Sequence, residues 1–278
     1  MSGISIGALS KACGIPANTI RTWERRYGFP SPSRTAGGHR LYNSEDVTRL
    51  RLIAEALTLG LRAGQIVPAS RSTLTKMLSR TASQTKVTDL LSYTKQLDSL
   101  GLDRALNLAY AKKGLDEFVT VELPVFLYQL GEAWANGTIN VHQEHFASHR
   151  IRTFLESIWQ PLSTGTGQPI VLATLSGEQH ELGLHIAACV IVSENIPVVF
   201  LGSQVPADAL VESINNLEPR ALILGVSTHT ANTNLAVIQE LIKALPDKHN
   251  IFLGGQAGTV DTGLPVISTY SELRLLCS

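Results

Sequence analysis

At 278 residues the chain has room for two or three domains, each large enough to bury a core. No run reaches the roughly eighteen apolar residues of a membrane span, the N-terminus lacks a signal-peptide pattern, and Cys13, Cys189 and Cys277 are scattered without CxxC spacing. A cytoplasmic protein with no membrane partner, no disulfide framework and no structural zinc is therefore expected. The zero net charge divides unevenly: residues 1 to 80 carry 12 Lys plus Arg against 4 Asp plus Glu, and the remaining 198 carry 11 against 19, which points to a polyanion partner for the first third alone.

Ser5 to Ala12 fits a short helix, Gly14 breaks it, and Pro16 stands at the opening position of a second helix running through Asn18, Arg21, Trp23 and Arg26 to Gly28. This spacing predicts a helix-turn-helix whose second helix carries Asn18, Thr19, Arg21, Arg25 and Arg26, donors suited to base edges and phosphates. A Gly37-Gly38 turn between short polar segments predicts a β wing that places Arg34, His39 and Arg40 against the DNA backbone. Ser44, with Asp46 and Val47, is expected to cap a third helix in which Val47, Leu50, Ile53, Ala54 and Leu57 recur at helical spacing. The string Arg21-Thr22-Trp23-Glu24-Arg25-Arg26-Tyr27-Gly28, followed by Gly38-His39-Arg40-Leu41-Tyr42, resembles the MerR family of winged-helix transcription regulators over roughly residues 4 to 70. The resemblance implies a double-stranded DNA operator as partner and brings Tyr27 into the expected DNA contacts. Glu24 is expected to pair with a neighbouring arginine and Trp23 to be core. Metal-sensing members continue into a long dimerising helix with ligand cysteines; this sequence shows neither, so a metal sensor is not expected.

Residues 63 to 86 lose clear periodicity, are rich in Ser and Thr, and read as a linker with one loose helix. From Val87 to Trp159 apolar residues return at helical spacing, broken by Gly101, Gly114 and Asn136-Gly137, which predicts a bundle of about four helices. After Pro161 to Gln168 the pattern alternates between strands, at Ile170 to Leu175, Val198 to Leu201, Ala221 to Val226, Ile251 to Leu253 and Val266 to Ser268, and amphipathic helices. That alternation predicts a five-stranded, mostly parallel sheet in a small Rossmann-like or flavodoxin-like domain. The expected organisation is a winged-helix DNA-binding domain at 1–75, a linker at 76–86, a helical bundle at 87–162 and an α/β domain at 168–278.

In a parallel α/β domain, loops at the carboxyl edge of the sheet gather ligands. His180 leaves the first strand there, Ser227 leaves the third in Gly225-Val226-Ser227-Thr228-His229, and Gly254-Gly255 leave the fourth. One histidine with small residues beside it suits a ligand that takes one coordinate bond and buries a flat or bulky tail. Glu178, two residues before His180, is placed to orient the imidazole through its other nitrogen. The stretch Glu178-Gln179-His180-Glu181-Leu182-Gly183 resembles the Asp-x-His-x-x-Gly pattern of the cobalamin-binding Rossmann domain, with Glu for Asp, over about Gly167 to Leu276. The resemblance implies His180 as the lower axial ligand of cobalt, with Glu178, Gly183, Ser227, Gly254 and Gly255 around the cofactor. The family's later Ser-x-Leu element is half kept.

Taken singly, Trp134 reads as core, and Glu144 and His145 as a solvated helix start. Together, Trp134, nine intervening residues and Glu144-His145 resemble the signature of the bundle that caps adenosylcobalamin in the CarH and LitR class of light-responsive MerR repressors. A tryptophan packs over an open axial ligand, while a Glu-His pair offers hydrogen bonds to ribose and adenine. His142, His145 and His149 also share a helix face, a metal-binding alternative weakened by Phe146 where a zinc protease needs glutamate. In the best-studied members of the class a histidine follows the tryptophan; here the position is Ala135, which departs from the pattern behind a bis-histidine product after light and leaves His142 or His149 as the candidates to substitute.

The resemblances imply a repressor, not an enzyme, that binds DNA in the dark as a dimer or tetramer bridged by adenosylcobalamin and releases it after light. Methylcobalamin or another cobalamin is the alternative ligand. A cobalamin-sensing or cofactor-independent regulator without light response is the second reading. A cobalamin carrier module of a mutase or methyltransferase is the third, and it leaves the DNA-binding pattern unexplained.

Overall fold

The computed structural model describes residues 3–35, 37–58, 61–81, 90–227, 230, 234–245, 250–255 and 262–277, with backbone alone for 58 and 79–81. The chain divides into two compact units, Met1–Leu162 and Ser163–Ser278.

In the first unit, α1 (Ile6–Cys13) begins where the Ser5 hydroxyl accepts from the Ala8 amide and ends at Gly14, whose left-handed φ of 69° an L side chain resists. Pro16 occupies the N-cap of α2 (Ala17–Tyr27), one residue earlier than expected; Gly28 ends α2 in the same left-handed way, and Ile20 and Trp23 are its buried side. β1 (Ser33–Arg34) and β2 (Arg40–Leu41) pair antiparallel and form the wing. The cap of α3 (Ser44–Thr58) differs from the expectation at Ser44: Asn43 and Asp46 exchange amide-to-side-chain hydrogen bonds at 2.9 Å each, a reciprocal box that Ser44 does not join.

The segment expected as a linker is largely structured. α4 (Ala63–Ile66) and α5 (Arg71–Thr81) span its first four fifths, and Ile66, Val67, Leu74 and Leu78 lie in the core that α1 to α3 build. Residues 76–81 thus complete a core helix, and 82–89 lie outside the described residues. The reason is physical: Leu74 and Leu78 stand four residues apart, one apolar stripe inside a Ser/Thr-rich stretch whose composition masks it.

The bundle comprises α6 (Leu90–Gln96), α7 (Ser99–Lys113), α8 (Leu115–Glu117), a π-helical turn Phe118–Glu122, α9 (Leu123–Ala135) and α10 (Val141–Leu162). Leu108 and Ala111 of α7 sit in the same core as α1 to α5, so winged helix and bundle are one packed body.

In the second unit β3 (Ile170–Leu175), β4 (Val198–Val205), β5 (Ala221–Val226), β6 (Ile251–Gly255) and β7 (Val266–Ile267) form an all-parallel sheet in the order β4-β3-β5-β6-β7. Helices α11 (Leu182–Ser193), α12 (Ala207–Leu217), α13 (Leu235–Ala244) and α14 (Tyr270–Cys277) connect or follow the strands. β3 and β5 are buried along their whole length, as unbroken apolar runs require. The order is the flavodoxin-like one, and its chain reversal lies between the carboxyl ends of β3 and β5.

Candidate functional site

The loop after β3 lies at that reversal. Glu178 donates its amide to Leu175 O at 3.0 Å and Gly177 holds φ 88°, the tight turn that only glycine adopts without strain. The turn buries the Glu178 carboxylate completely. One oxygen accepts from the His180 amide at 2.9 Å and from Nδ1 at 2.6 Å; the other accepts from the Ser227 amide at 2.8 Å and from the Thr230 hydroxyl. Thr174, fully buried in β3, donates to Glu178 O at 2.6 Å and accepts from the Gln204 amide at 2.9 Å, which ties the ends of β3 and β4 together. Burial pushes the Glu178 pKa up, and the hydrogen bonds from Ser227, Thr230 and His180 outweigh it and bring it to about 2. A carboxylate held anionic against Nδ1 keeps that nitrogen protonated and leaves the Nε2 lone pair for a ligand. The His180 side chain is 71% exposed.

His180, Gly183, Ser227, Gly254 and Gly255 line one cleft of about 460 Å³, with Leu184, Ala187, Ile223 and Leu273 as apolar wall and Thr269 and Tyr270 as polar members. A Cβ on Gly225 would stand 3.1 Å from Leu184 Cγ, one on Gly254 3.2 Å from Ile223 Cγ2, and one on Gly255, at φ 101°, 2.7 Å from Val226 O. A Cβ on Gly183 meets no heavy atom within 4 Å. Gly255 is thus required by the scaffold, Gly225 and Gly254 are closely packed by neighbouring side chains, and Gly183 faces space that the protein itself does not fill. Of the residues expected in this domain, all but Glu178 line the cleft, and Glu178 stands behind His180. Thr228 and His229 lie outside the described residues. Thr230, Thr174 and Gln204 were not expected at the site; Thr230 had only its spacing three residues after Ser227 as a signal.

In the first unit, α9 and α10 are joined by the short turn 136–140, so Trp134 near the end of one helix and Glu144-His145 at the start of the next share one end of the bundle. Asn136 and Gly137, at φ 74°, make the turn, and Ile139 N donates to Ala133 O at 3.1 Å. The Asn140 amide donates to Gln143 Oε1 at 2.8 Å and opens α10. Glu144 pairs with His145 Nδ1 at 2.6 Å and accepts from Ser148 Oγ at 2.5 Å. Trp134 and Val141 are each 54% exposed, a large apolar surface for a helix end. Ala135 is exposed beside Trp134. His149 Nδ1 meets the Arg152 guanidinium at 2.9 Å, and among the described residues no group of three or more His, Cys, Asp or Glu is arranged to hold a metal ion, so the shared histidine face gains no support as a metal site.

On α2, Asn18, Arg21, Arg25 and Arg26 are exposed, whereas Thr19 and Tyr27 are half-buried. Arg21 donates to Asn18 Oδ1 at 3.1 Å, and Arg26 lies 5.3 Å from the centre of the Tyr27 ring. On the wing His39 is exposed and Arg34 donates to Gly38 O at 3.0 Å. Arg40, expected on the DNA backbone, instead pairs with Glu24 at 3.0 Å, and Tyr42 donates to the other oxygen of that carboxylate. Burial, then Glu24, holds the Tyr42 phenol well above its usual pKa. The expected arginine partner of Glu24 thus comes from the wing, and Trp23 is core as expected.

Residues 4–70 match the model of the MerR HTH family regulatory proteins. The chain is 31% identical over 268 residues to the HTH-type transcriptional repressor CarH of Myxococcus xanthus, covering 91% of this chain and 88% of that protein. It is 28% identical to the HTH-type transcriptional repressor CarA of the same organism, covering 87% and 83%. Among solved structures, a Methanosarcina barkeri monomethylamine corrinoid protein superposes with a TM-score of 0.56 at 15% identity, over 70% of this chain and 98% of that one, a likeness of fold.

Proposed function

Because the chain belongs to the family of the HTH-type transcriptional repressor CarH, within the MerR-type regulators, we propose that it is an adenosylcobalamin-dependent repressor whose DNA binding responds to light. The observation that carries this reading is the buried, anionic Glu178 locking His180 at the mouth of a glycine-floored cleft, in a chain that begins with a DNA-binding domain. When bound, adenosylcobalamin would supply a cobalt that accepts one nitrogen ligand and a cobalt–carbon bond that visible light breaks.

The residues present fit that group. His180 would ligate through Nε2, its ring held by Glu178. The cleft, apolar on Leu184, Ala187, Ile223 and Leu273, would take a flat heterocyclic tail, with Gly183 allowing close approach. On the bundle Trp134 would cover an upper alkyl group with its exposed ring, and the Glu144-His145 pair would offer an acceptor and a donor to ribose hydroxyls and adenine. Asn18, Arg21, Arg25 and Arg26 would meet the operator in its major groove, with Thr19 and Tyr27 at the edge of that face. Arg34 and His39 would meet the operator backbone, and Arg40 would steady the wing through Glu24. Joining several such modules in a homo-oligomer raises their effective concentration on DNA without any new base contact.

The test mixes full-length protein with adenosylcobalamin in the dark and reads the absorption spectrum, particle size and affinity for a duplex selected from random pools, before and after green light. The expected result is an axial-nitrogen spectrum that His180→Ala abolishes, a larger and tighter-binding dark assembly, and its loss on illumination; a second nitrogen ligand afterwards would have to come from His142 or His149, since Ala135 offers none. Absence of cobalamin binding refutes the cofactor reading. Complexes whose size and DNA affinity ignore light refute the light response.

A further inference from the structure

Arg51 lies on α3, away from every residue assigned to DNA or cofactor, yet it is only 9% exposed. A guanidinium is tolerated there only where its donors find acceptors. Nε donates to Ala12 O near the end of α1 at 2.9 Å, and Nη2 donates to Ser157 O at 2.6 Å and Ser157 Oγ at 2.8 Å near the end of α10. Its central carbon stands 5.9 Å from the Tyr110 ring centre and 5.6 Å from that of Phe154. Those rings belong to an edge-to-face trio with Phe118, at centroid separations of 5.9, 6.2 and 5.7 Å.

The three rings report on different helices. Tyr110 is on α7 and bonds Thr48 of α3 at 2.9 Å. Phe118 opens the π-helical turn that feeds α9 and hence Trp134; π turns inside helices recur at functional positions. Phe154 is on α10, ten residues and about 15 Å along the helix from Glu144. α10, through Phe154, and the turn that leads into α9, through Phe118, therefore meet in the trio, and Arg51 faces two of its rings, Tyr110 and Phe154. Beside this contact runs an open groove of about 310 Å³ lined by Cys13, Arg51, Glu55, Asn107 and Ser157 among others.

We infer that Arg51 is a positioning residue that docks α1 to α3 on the aromatic trio and links occupancy of the Trp134, Glu144 and His145 cap to the placement of the DNA-binding helices. The link rests on the cofactor reading above. In this arrangement Asn18, Arg21, Arg25 and Arg26 of α2 are exposed, which is compatible with DNA binding. A shift of α10 removes Ser157 O and Oγ from Nη2 together and carries Phe154 away from the guanidinium, while Nε keeps Ala12 O. Coupling between two binding equilibria is reciprocal, so a variant that loosens docking must weaken cofactor binding from a distance and must flatten the effect of cofactor on DNA affinity.

The experiment titrates full-length wild type, Arg51→Met and Ser157→Ala with adenosylcobalamin in the dark by absorbance, and measures duplex affinity with and without the cofactor. Arg51→Met keeps length and removes the donors; it is expected to raise the cofactor Kd about fivefold or more, at the lower end of typical coupling factors, and to erase most of the cofactor effect on DNA. Ser157→Ala, which removes one of two acceptors, is expected to move both quantities the same way by less, and it carries the test should Arg51→Met fail to fold. Folded variants with a cofactor Kd within about twofold of wild type and an unchanged DNA response overturn the inference while leaving the cofactor reading intact. A wild type that binds no adenosylcobalamin overturns both.

Discussion

Glu178→Gln probes the point on which the α/β site depends. The substitution keeps the shape and removes the charge, and its amide N–H₂ must face either Ser227 N and the Thr230 hydroxyl or His180 N and Nδ1. In either orientation a backbone N–H loses its acceptor, at about 1–3 kcal/mol. The lowering of the Glu178 pKa from 4.5 to about 2 measures the same bonds by a second route: at 1.36 kcal/mol per unit it corresponds to roughly 3 kcal/mol. Because the two figures count the same contacts they do not add, and the expected loss at neutral pH is about 3 kcal/mol. The folded state binds this proton less tightly than the unfolded chain. The stabilisation is therefore complete above about pH 4.5 and is lost as pH falls toward 2, so the gap between wild type and variant is flat from pH 7 to 5 and closes below that.

The assay has to see the second unit alone. Trp23, Trp134 and Trp159 all lie in the first unit, so tryptophan fluorescence is blind to the sheet. Cys189, fully buried on α11, is not. Protein equilibrated in urea at each pH is pulsed with an alkylating reagent at a fixed alkaline pH, and mass spectrometry reads the modified fraction at Cys189, with buried Cys13 of the first unit as internal control. The Cys189 midpoint is expected to fall in the variant while the Cys13 midpoint stays. Equal Cys189 midpoints at pH 7, or a gap that widens on acidification, would refute the carboxylate's role.

Gly183→Ala should leave unfolding within about 1 kcal/mol of wild type, since its Cβ meets nothing, while cutting cobalamin affinity at least about tenfold if the cofactor passes close; Gly255→Ala, at φ 101° and 2.7 Å from Val226 O, should cost about 1–3 kcal/mol of stability before any ligand is added. Urea titrations with and without cobalamin separate the two. Trp134→Ala, at a position 54% exposed, is expected to move apo stability by less than about 0.5 kcal/mol and to weaken retention of the adenosyl cofactor in the dark; a large loss of apo stability would show that the indole is core after all. Arg25→Ala should lower the slope of log affinity for duplex DNA against log salt by about 0.9, one phosphate contact, whereas Arg40→Ala should change the slope less and instead destabilise the wing by stripping Glu24 of its partner. Equal slope changes would mean that Arg40 leaves Glu24 for the DNA.

The groups legible in the sequence are those whose work is done within a few residues of chain. Glu178 beside His180, the turn at Asn136-Gly137 and the recognition helix bounded by Pro16 and Gly28 need only local geometry, and β3 and β5 announce themselves because strands buried on both faces are unbroken apolar runs. Where partners are distant the reading fails in a consistent direction. The same Glu178 carboxylate reaches Ser227 and Thr230, about fifty residues on, only because β5 pairs with β3, and no spacing rule reports that pairing. Arg40 reads as a phosphate donor, and its ion pair with Glu24, which lies on the preceding helix, is formed only when the wing folds. Arg51 is the extreme case: it stands four residues after Val47 and three before Ala54, at the border of the apolar stripe of α3, and its hydrogen-bond partners Ala12 and Ser157 lie 39 residues before it and 106 after. A buried charge whose acceptors lie on other helices is held in place by tertiary structure, so it is sensitive to a shift between the helices that hold it. That sensitivity is a liability for stability, and it is the property a residue needs if docking of the DNA-binding helices is to change when something binds at the far end of α10.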